Sequence, residues 1–280
     1  MACRGQAGLK YRGMTGSIVI LGASGRIGRM LYRLWQTGAL DLGEAPLWQV
    51  RRPAEGQAQA LIWDILHQDP PAIAPSGVIC LAGGPGVAEN AALSAAAMTF
   101  ARGAPLLFAS TQAVYGPQQG ALREGDACRP AGAYGATKLA AEQVLAAHPA
   151  ATCLRIGNVV GADMLSRAIQ AGPVTLDRFP DGQGPRRMMI GPRALGQAMI
   201  DLLAMPQTPR VLNLAQPGLV AMADMLEAAG ANWRWQPAPE TALPVLEMDL
   251  SLAQSLIDLP PADPAAMLAE ARAAGREPQA

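Results

Sequence analysis

Residues Ser17 to Met30 read SIVILGASGRIGRM. A β-branched apolar run breaks at Gly22, Gly25 and Gly28, and apolar residues then return at helical spacing. Ile27, Met30, Leu31 and Leu34 fall on one face of a predicted helix from Arg26 to Gly38, which the glycine stops. The turn Gly22-Ala23-Ser24-Gly25-Arg26-Ile27-Gly28 therefore joins a strand to a helix. Small residues there let the backbone approach a pyrophosphate, whose charge then meets the helix N-terminus. An ordinary tight turn is the plainer alternative, and the flanking strand and helix argue against it.

The same alternation continues outward. LWQV (Leu47 to Val50), GVICLAG (Gly77 to Gly83), PLLFAST (Pro105 to Thr111) and TCLRIG (Thr152 to Gly157) are apolar strand-like runs. Helical stretches at 90–102 and 133–147 separate the later ones. Continuous apolar strands alternating with helices imply an α/β fold, a Rossmann-like doubly wound parallel sheet covered on both faces. The sheet domain is expected over 17–160, completed by a helix and a strand (RVLNLA, Arg210 to Ala215) within about 194–216. Segments 161–193 and 217–270 are rich in Pro and Gly and suggest a small discontinuous C-terminal substrate lobe. Residues 1–16 read as a disordered leader with Met14 a candidate start, and 271–280 as a frayed tail.

Composition narrows the function. Lys+Arg and Asp+Glu are equal at 22 each, so no net field draws the chain to nucleic acid or an acidic membrane. No apolar run reaches the roughly 20 residues of a membrane span. Cys3, Cys80, Cys128 and Cys153 are scattered, which fits free thiols in a reducing cytoplasm. With only His67 and His148 and no cluster of soft ligands, no metal site is expected.

The strand ends carry the candidate site. An enzyme that uses NAD usually places an acid after the second strand to bind the ribose hydroxyls, whereas Arg accommodates a 2′-phosphate. Here the chain reads Gln49-Val50-Arg51-Arg52, which favours NADP over NAD unless both arginines are solvated loop charges. Asp64 and Ile65 lie where a loop could reach the adenine, although a lone Asp is also a common N-cap. Leu81, Ala82 and Gly83 end the third apolar run and leave room for a cofactor. Ala109, Ser110 and Thr111 end the fourth, and Thr111 points a hydroxyl at the crevice or merely caps the strand. Tyr134 and Lys138 are i, i+4 neighbours on one helix face. A free phenol titrates near ~10 and is a poor base at neutral pH. A nearby ammonium and an oxidised nicotinamide would lower that value, and Lys138 can also bond the nicotinamide ribose.

Taken with these motifs, the chain resembles the extended short-chain dehydrogenase/reductase family, which includes NAD(P)-dependent epimerases, dehydratases and reductases. The matching stretches are GASGRIG from Gly22, STQAVYG at Ser110 to Gly116, EGDACRPAGAYGATKLAAEQ from Glu124 to Gln143, and LRIGNVVG at Leu154 to Gly161. The likeness runs from Ser17 to about Leu256. It implies that Tyr134 transfers the proton, that Lys138 is its partner and that Thr111 orients the reacting oxygen. It also implies that Gly157 borders the nicotinamide, that Asn158 meets the substrate, and that the protein is a homodimer.

Two departures matter. Family dehydratases usually follow the Thr with Asp-Glu, but Gln112 and Ala113 stand here, which argues against sugar dehydration. The stretch Arg187-Met-Met-Ile-Gly-Pro-Arg193 also departs from the usual nucleotide-sugar pattern, and the lobe is short. The expected substrate is thus a sugar, a nucleotide sugar or a similar small molecule, oxidised, reduced or epimerised at a secondary alcohol or ketone. A silent dinucleotide-binding sensor is the alternative from another class.

Overall fold

The computed structural model describes residues 16–43, 46–52 and 58–275. The opening run forms β1 (Ile18–Leu21), buried at every position, and the glycine turn delivers the chain into α1 (Arg26–Gln36). β2 (Leu47–Val50), β3 (Ala60–Ile62), β4 (Gly77–Cys80), α2 (Val87–Ala101) and β5 (Leu106–Thr111) follow. Next come β6 (Ala121–Leu122), α3 (Ala133–Leu145), β7 (Ala151–Ile156), β8 (Asn158–Val159), α4 (Met164–Ala171), β9 (Val174–Arg178) and β10 (Arg186–Ile190). The chain ends with α5 (Pro192–Leu203), β11 (Val211–Leu214), β12 (Leu219–Ala221), α6 (Met222–Ala229), β13 (Trp233–Pro237), β14 (Val245–Met248), α7 (Ser251–Leu256) and α8 (Pro264–Ala273).

Seven strands form one sheet in the order β11-β7-β5-β4-β1-β2-β3, with every neighbouring pair parallel. The fold class is the α/β doubly wound sheet expected from the alternating apolar runs. Alternate residues of β1 feed two cores: Ile18 and Ile20 pack on the side of Met30, Leu34 and Leu203, while Val19 and Leu21 pack on the side of Phe100 and Leu145. β1 lies between β2 and β4, where the strand order reverses. That reversal opens a crevice beyond the carboxyl ends of β1 and β4, the place where ligands bind in such sheets.

A second group of strands stands apart from the sheet. β10 pairs with β8, β12 and β14, β14 pairs with β6, and β9 pairs with β13. These strands were not legible in the sequence because each is short and finds a partner far along the chain. The expected tail from 271 is corrected in part. α8 runs to Ala273, with Met267, Leu268, Ala271 and Ala274 buried, and small alanines had hidden its core-facing side. Glu270 also accepts from the amides of Arg193 (3.0 Å) and Ala194 (3.2 Å), so α8 supplies the cap that α5 lacks. Residues 276–280, and the expected leader apart from Gly16, lie outside the described residues.

Candidate active site

The glycine turn is wedged between two strand ends. Gly22 has a φ of +79°, and a Cβ there would stand 2.6 Å from the Ala82 nitrogen. At Gly28 a Cβ would stand 2.5 Å from the Ala23 carbonyl oxygen, so only glycine lets α1 pack this closely on the turn. Gly25 is the N-cap of α1, and no side chain caps the helix. That leaves the first turn open toward the crevice, as a phosphate site requires.

Two cavities meet over this turn, both lined by Gly22, Gly25 and Leu81. The larger, about 480 Å³, continues along Arg26, Ile27 and Gly28 to Ala109 and Thr111. Its far wall is Tyr134, Lys138, Gly157 and Asn158. The smaller, about 330 Å³, runs the other way past Ser24 and Arg51 to Asp64 and Ile65, with Ala82 and Gly83 opposite. The structure thus brings nearly all the expected residues onto two adjoining cavities. Ala23 and Arg52 line neither cavity: Ala23 is buried beneath the turn and Arg52 is exposed.

Each reactive side chain is held by its element. Thr111 ends β5 and is buried, and its hydroxyl accepts from the Ala113 amide at 3.2 Å. It is therefore both a strand-end cap and a wall of the larger cavity. Asn158, just past β7, accepts through Oδ1 from Gln112 Nε2 at 3.0 Å. Lys138 is buried, donates to the Ala109 carbonyl at 2.8 Å and lies 4.7 Å over the Phe108 ring. Burial holds its amine below the ordinary lysine value, against the pull of Cys80 and Glu142. The ammonium keeps further N–H donors beyond the one given to Ala109.

Tyr134 departs from expectation in one respect. It is 61 % exposed at the cavity mouth, yet loss of water around its hydroxyl pushes the phenol above the ordinary tyrosine value. A hydrogen bond with Thr111 and the charge of Arg26 pull the other way.

At the other end, Asp64 Oδ1 accepts from the Leu66 amide (3.2 Å) and faces His67 Nδ1 (3.0 Å), so it closes a turn rather than capping a helix. The His67 bond holds its carboxyl below the usual value. His67 and Glu89 also line this cavity, as Asp163 and Met164 line the larger one. None of these stood out in the sequence, because each is an isolated residue outside the strand-end pattern. Cys80 and Cys153 are buried, and burial pushes their thiols up to about 11 and about 12. Among the described residues, no group of three or more His, Cys, Asp or Glu could hold a metal ion, and no helix is long and apolar enough to cross a membrane.

The architecture can be set beside known proteins. Over residues 85–170 the chain matches the family model described as the RmlD substrate binding domain. Among solved structures it is similar to a UDP-glucose 4-epimerase from Brucella ovis in complex with NAD, at 22 % identity and a TM-score of 0.74, covering 90 % of this chain and 96 % of that one. A short-chain dehydrogenase/reductase superfamily protein from Agrobacterium tumefaciens with bound NAD is similar at 15 % identity and a TM-score of 0.70, covering 93 % and 97 %. The chain shares the fold of these two structures. A third similar structure is TunA, an NAD-dependent NDP-hexosamine 5,6-dehydratase involved in tunicamycin biosynthesis, at 20 % identity and a TM-score of 0.67, covering 87 % and 91 %. No curated protein matches the sequence.

Proposed function

We propose that the chain is a nicotinamide-dependent oxidoreductase or epimerase acting at a secondary alcohol or ketone of a sugar, a nucleotide sugar or a similar small molecule. Tyr134 serves as its general acid/base. The observation that carries this reading is the shared cavity: Thr111, Tyr134, Lys138 and Asn158 open onto the space that begins at the glycine turn. The pinched turn, the uncapped helix and the paired cavities fit a dinucleotide. When bound, that cofactor supplies or accepts the hydride.

The chain's own residues do the rest. Thr111 and Tyr134 hold one substrate oxygen between two hydroxyls, and Tyr134 gives or takes its proton. Lys138 keeps its bond to Ala109 while offering a second N–H to the ribose. Asn158, fixed by Gln112, meets the substrate from the same wall as Tyr134. At Gln112 and Ala113 an amide and a methyl replace groups able to exchange protons, which speaks against dehydration. Arg51 at the groove edge, with no acid after β2, favours NADP, although the similar structures named above carry NAD or depend on it. The family resemblance adds a homodimer, and the free thiols a cytoplasmic setting.

The test is Tyr134→Phe, assayed against a panel of sugars, nucleotide sugars and ketones. Dinucleotide binding should persist while turnover falls by roughly 10²- to 10⁴-fold. Turnover at the parent rate would remove Tyr134 from the chemistry. Dinucleotide binding by a parent that turns over nothing in the panel would favour the silent sensor.

A further inference from the structure

Gln49 lies in the middle of an apolar strand, is 3 % exposed, and still lines the smaller cavity. Its side-chain Oε1 accepts from the Gly22 amide at 2.8 Å, and its own carbonyl accepts from the Ala23 amide at 3.1 Å. One residue thus takes the first two amides of the glycine turn. The Nε2 donates to the Trp63 carbonyl at 2.5 Å. Trp63 is itself anchored, fully buried with its ring 5.1 Å from Phe100, and Asp64 of the groove wall follows it directly. On its other side the turn meets Ala82, so it is gripped between β2 and β4.

We propose that Gln49 is a positioning residue of the dinucleotide groove. Its amide locks the glycine turn to the end of β3, and so sets the separation between the phosphate cradle and the wall that faces the adenosine. This rests on the dinucleotide reading above. An apolar residue in that place would leave the part-buried Gly22 N–H and the buried Trp63 carbonyl without these partners, so the turn and the β3 end would shift to regain hydrogen bonds. Because Gln49 acts through the shape of the groove and not through the 2′-phosphate, it governs affinity for both dinucleotides and leaves the preference between them to Arg51.

The experiment is a fluorescence titration with NADH and NADPH of the parent, Gln49→Met and Gln49→Asn, with thermal unfolding and circular dichroism as checks of folding. Met keeps the bulk and loses both side-chain bonds, while Asn keeps the amide but is too short to span both partners. Each folded variant should bind both dinucleotides about tenfold more weakly with their ratio unchanged, as expected for the loss of a buried hydrogen bond. If Gln49→Met does not fold, Gln49→Asn decides. Parent-like affinity in a folded variant, or a changed NADPH-to-NADH ratio, overturns the proposal, as does failure of both variants to fold, which would make Gln49 a residue of the fold alone. A parent that binds neither dinucleotide defeats the proposed function itself, an outcome distinct from an unaffected variant.

Discussion

At the scale of single residues, loss of water around its hydroxyl shifts the phenol of Tyr134 above the ordinary tyrosine value in the protein alone. A raised value means that the proton donor is present throughout the neutral range and is lost only as pH rises past the ordinary tyrosine value, near ~10. An oxidised nicotinamide would place a positive charge beside it and stabilise the phenolate. Ultraviolet difference titration, with Tyr134→Phe as the reference, should therefore show Tyr134 ionising above the ordinary value without cofactor and at lower pH once NADP⁺ is added. A titration that ignores the cofactor would separate the phenol from the nicotinamide. Arg51 answers a different question. Arg51→Asp should weaken NADPH binding relative to NADH by about tenfold or more, since an ionic hydrogen bond contributes about 1.5–3 kcal/mol. Unchanged relative affinity would place the 2′-phosphate elsewhere. Arg51 was legible as a cation where an acid is usual, whereas Gln49 two residues earlier read as one polar interruption in LWQV. Only the folded turn reveals what its amide holds.

At the scale of elements, α3 carries Tyr134 and Lys138, and a buried ion pair fixes it to the sheet. Glu142 and Arg155 meet at 2.9 Å with both side chains 6 % exposed, and the Ser110 hydroxyl donates to Glu142. Arg155 also donates to the Glu124 carbonyl at 3.0 Å and stacks 4.8 Å from the Tyr115 ring. Tyr115 donates to Asn213 Oδ1 at 2.6 Å, so the network ties α3 to β5, β7 and β11. Ser110 precedes Thr111, and Arg155 stands just before Gly157 and Asn158, so the same contacts set the cavity walls. Glu142→Gln should lower stability to denaturant by about 3–5 kcal/mol, because it strands a buried guanidinium. A loss below about 1 kcal/mol would show that water or another group already solvates Arg155. The period of α3 and the apolar runs of β5 and β7 made these elements readable one by one. The charged residues between them gave no hint of pairing, because Glu142 and Arg155 come together only when the strands align.

At the scale of the whole molecule, the parallel sheet was legible as six apolar runs, whereas its edge strand β3, three residues ending in the exposed Ile62, was not. The strands outside it were not, since β9 and β13 or β10 and β14 pair across more than fifty residues of chain. The sheet reverses its strand order at β1, and the two cavities join over the turn at that point. The most direct test of the account is a crystal structure of the protein with NADPH. The nicotinamide should lie in the larger cavity against Thr111, Tyr134 and Lys138, with the pyrophosphate on the glycine turn and the adenosine beside Arg51 and Asp64. A dinucleotide seated away from the glycine turn, or running in the opposite direction, would contradict it.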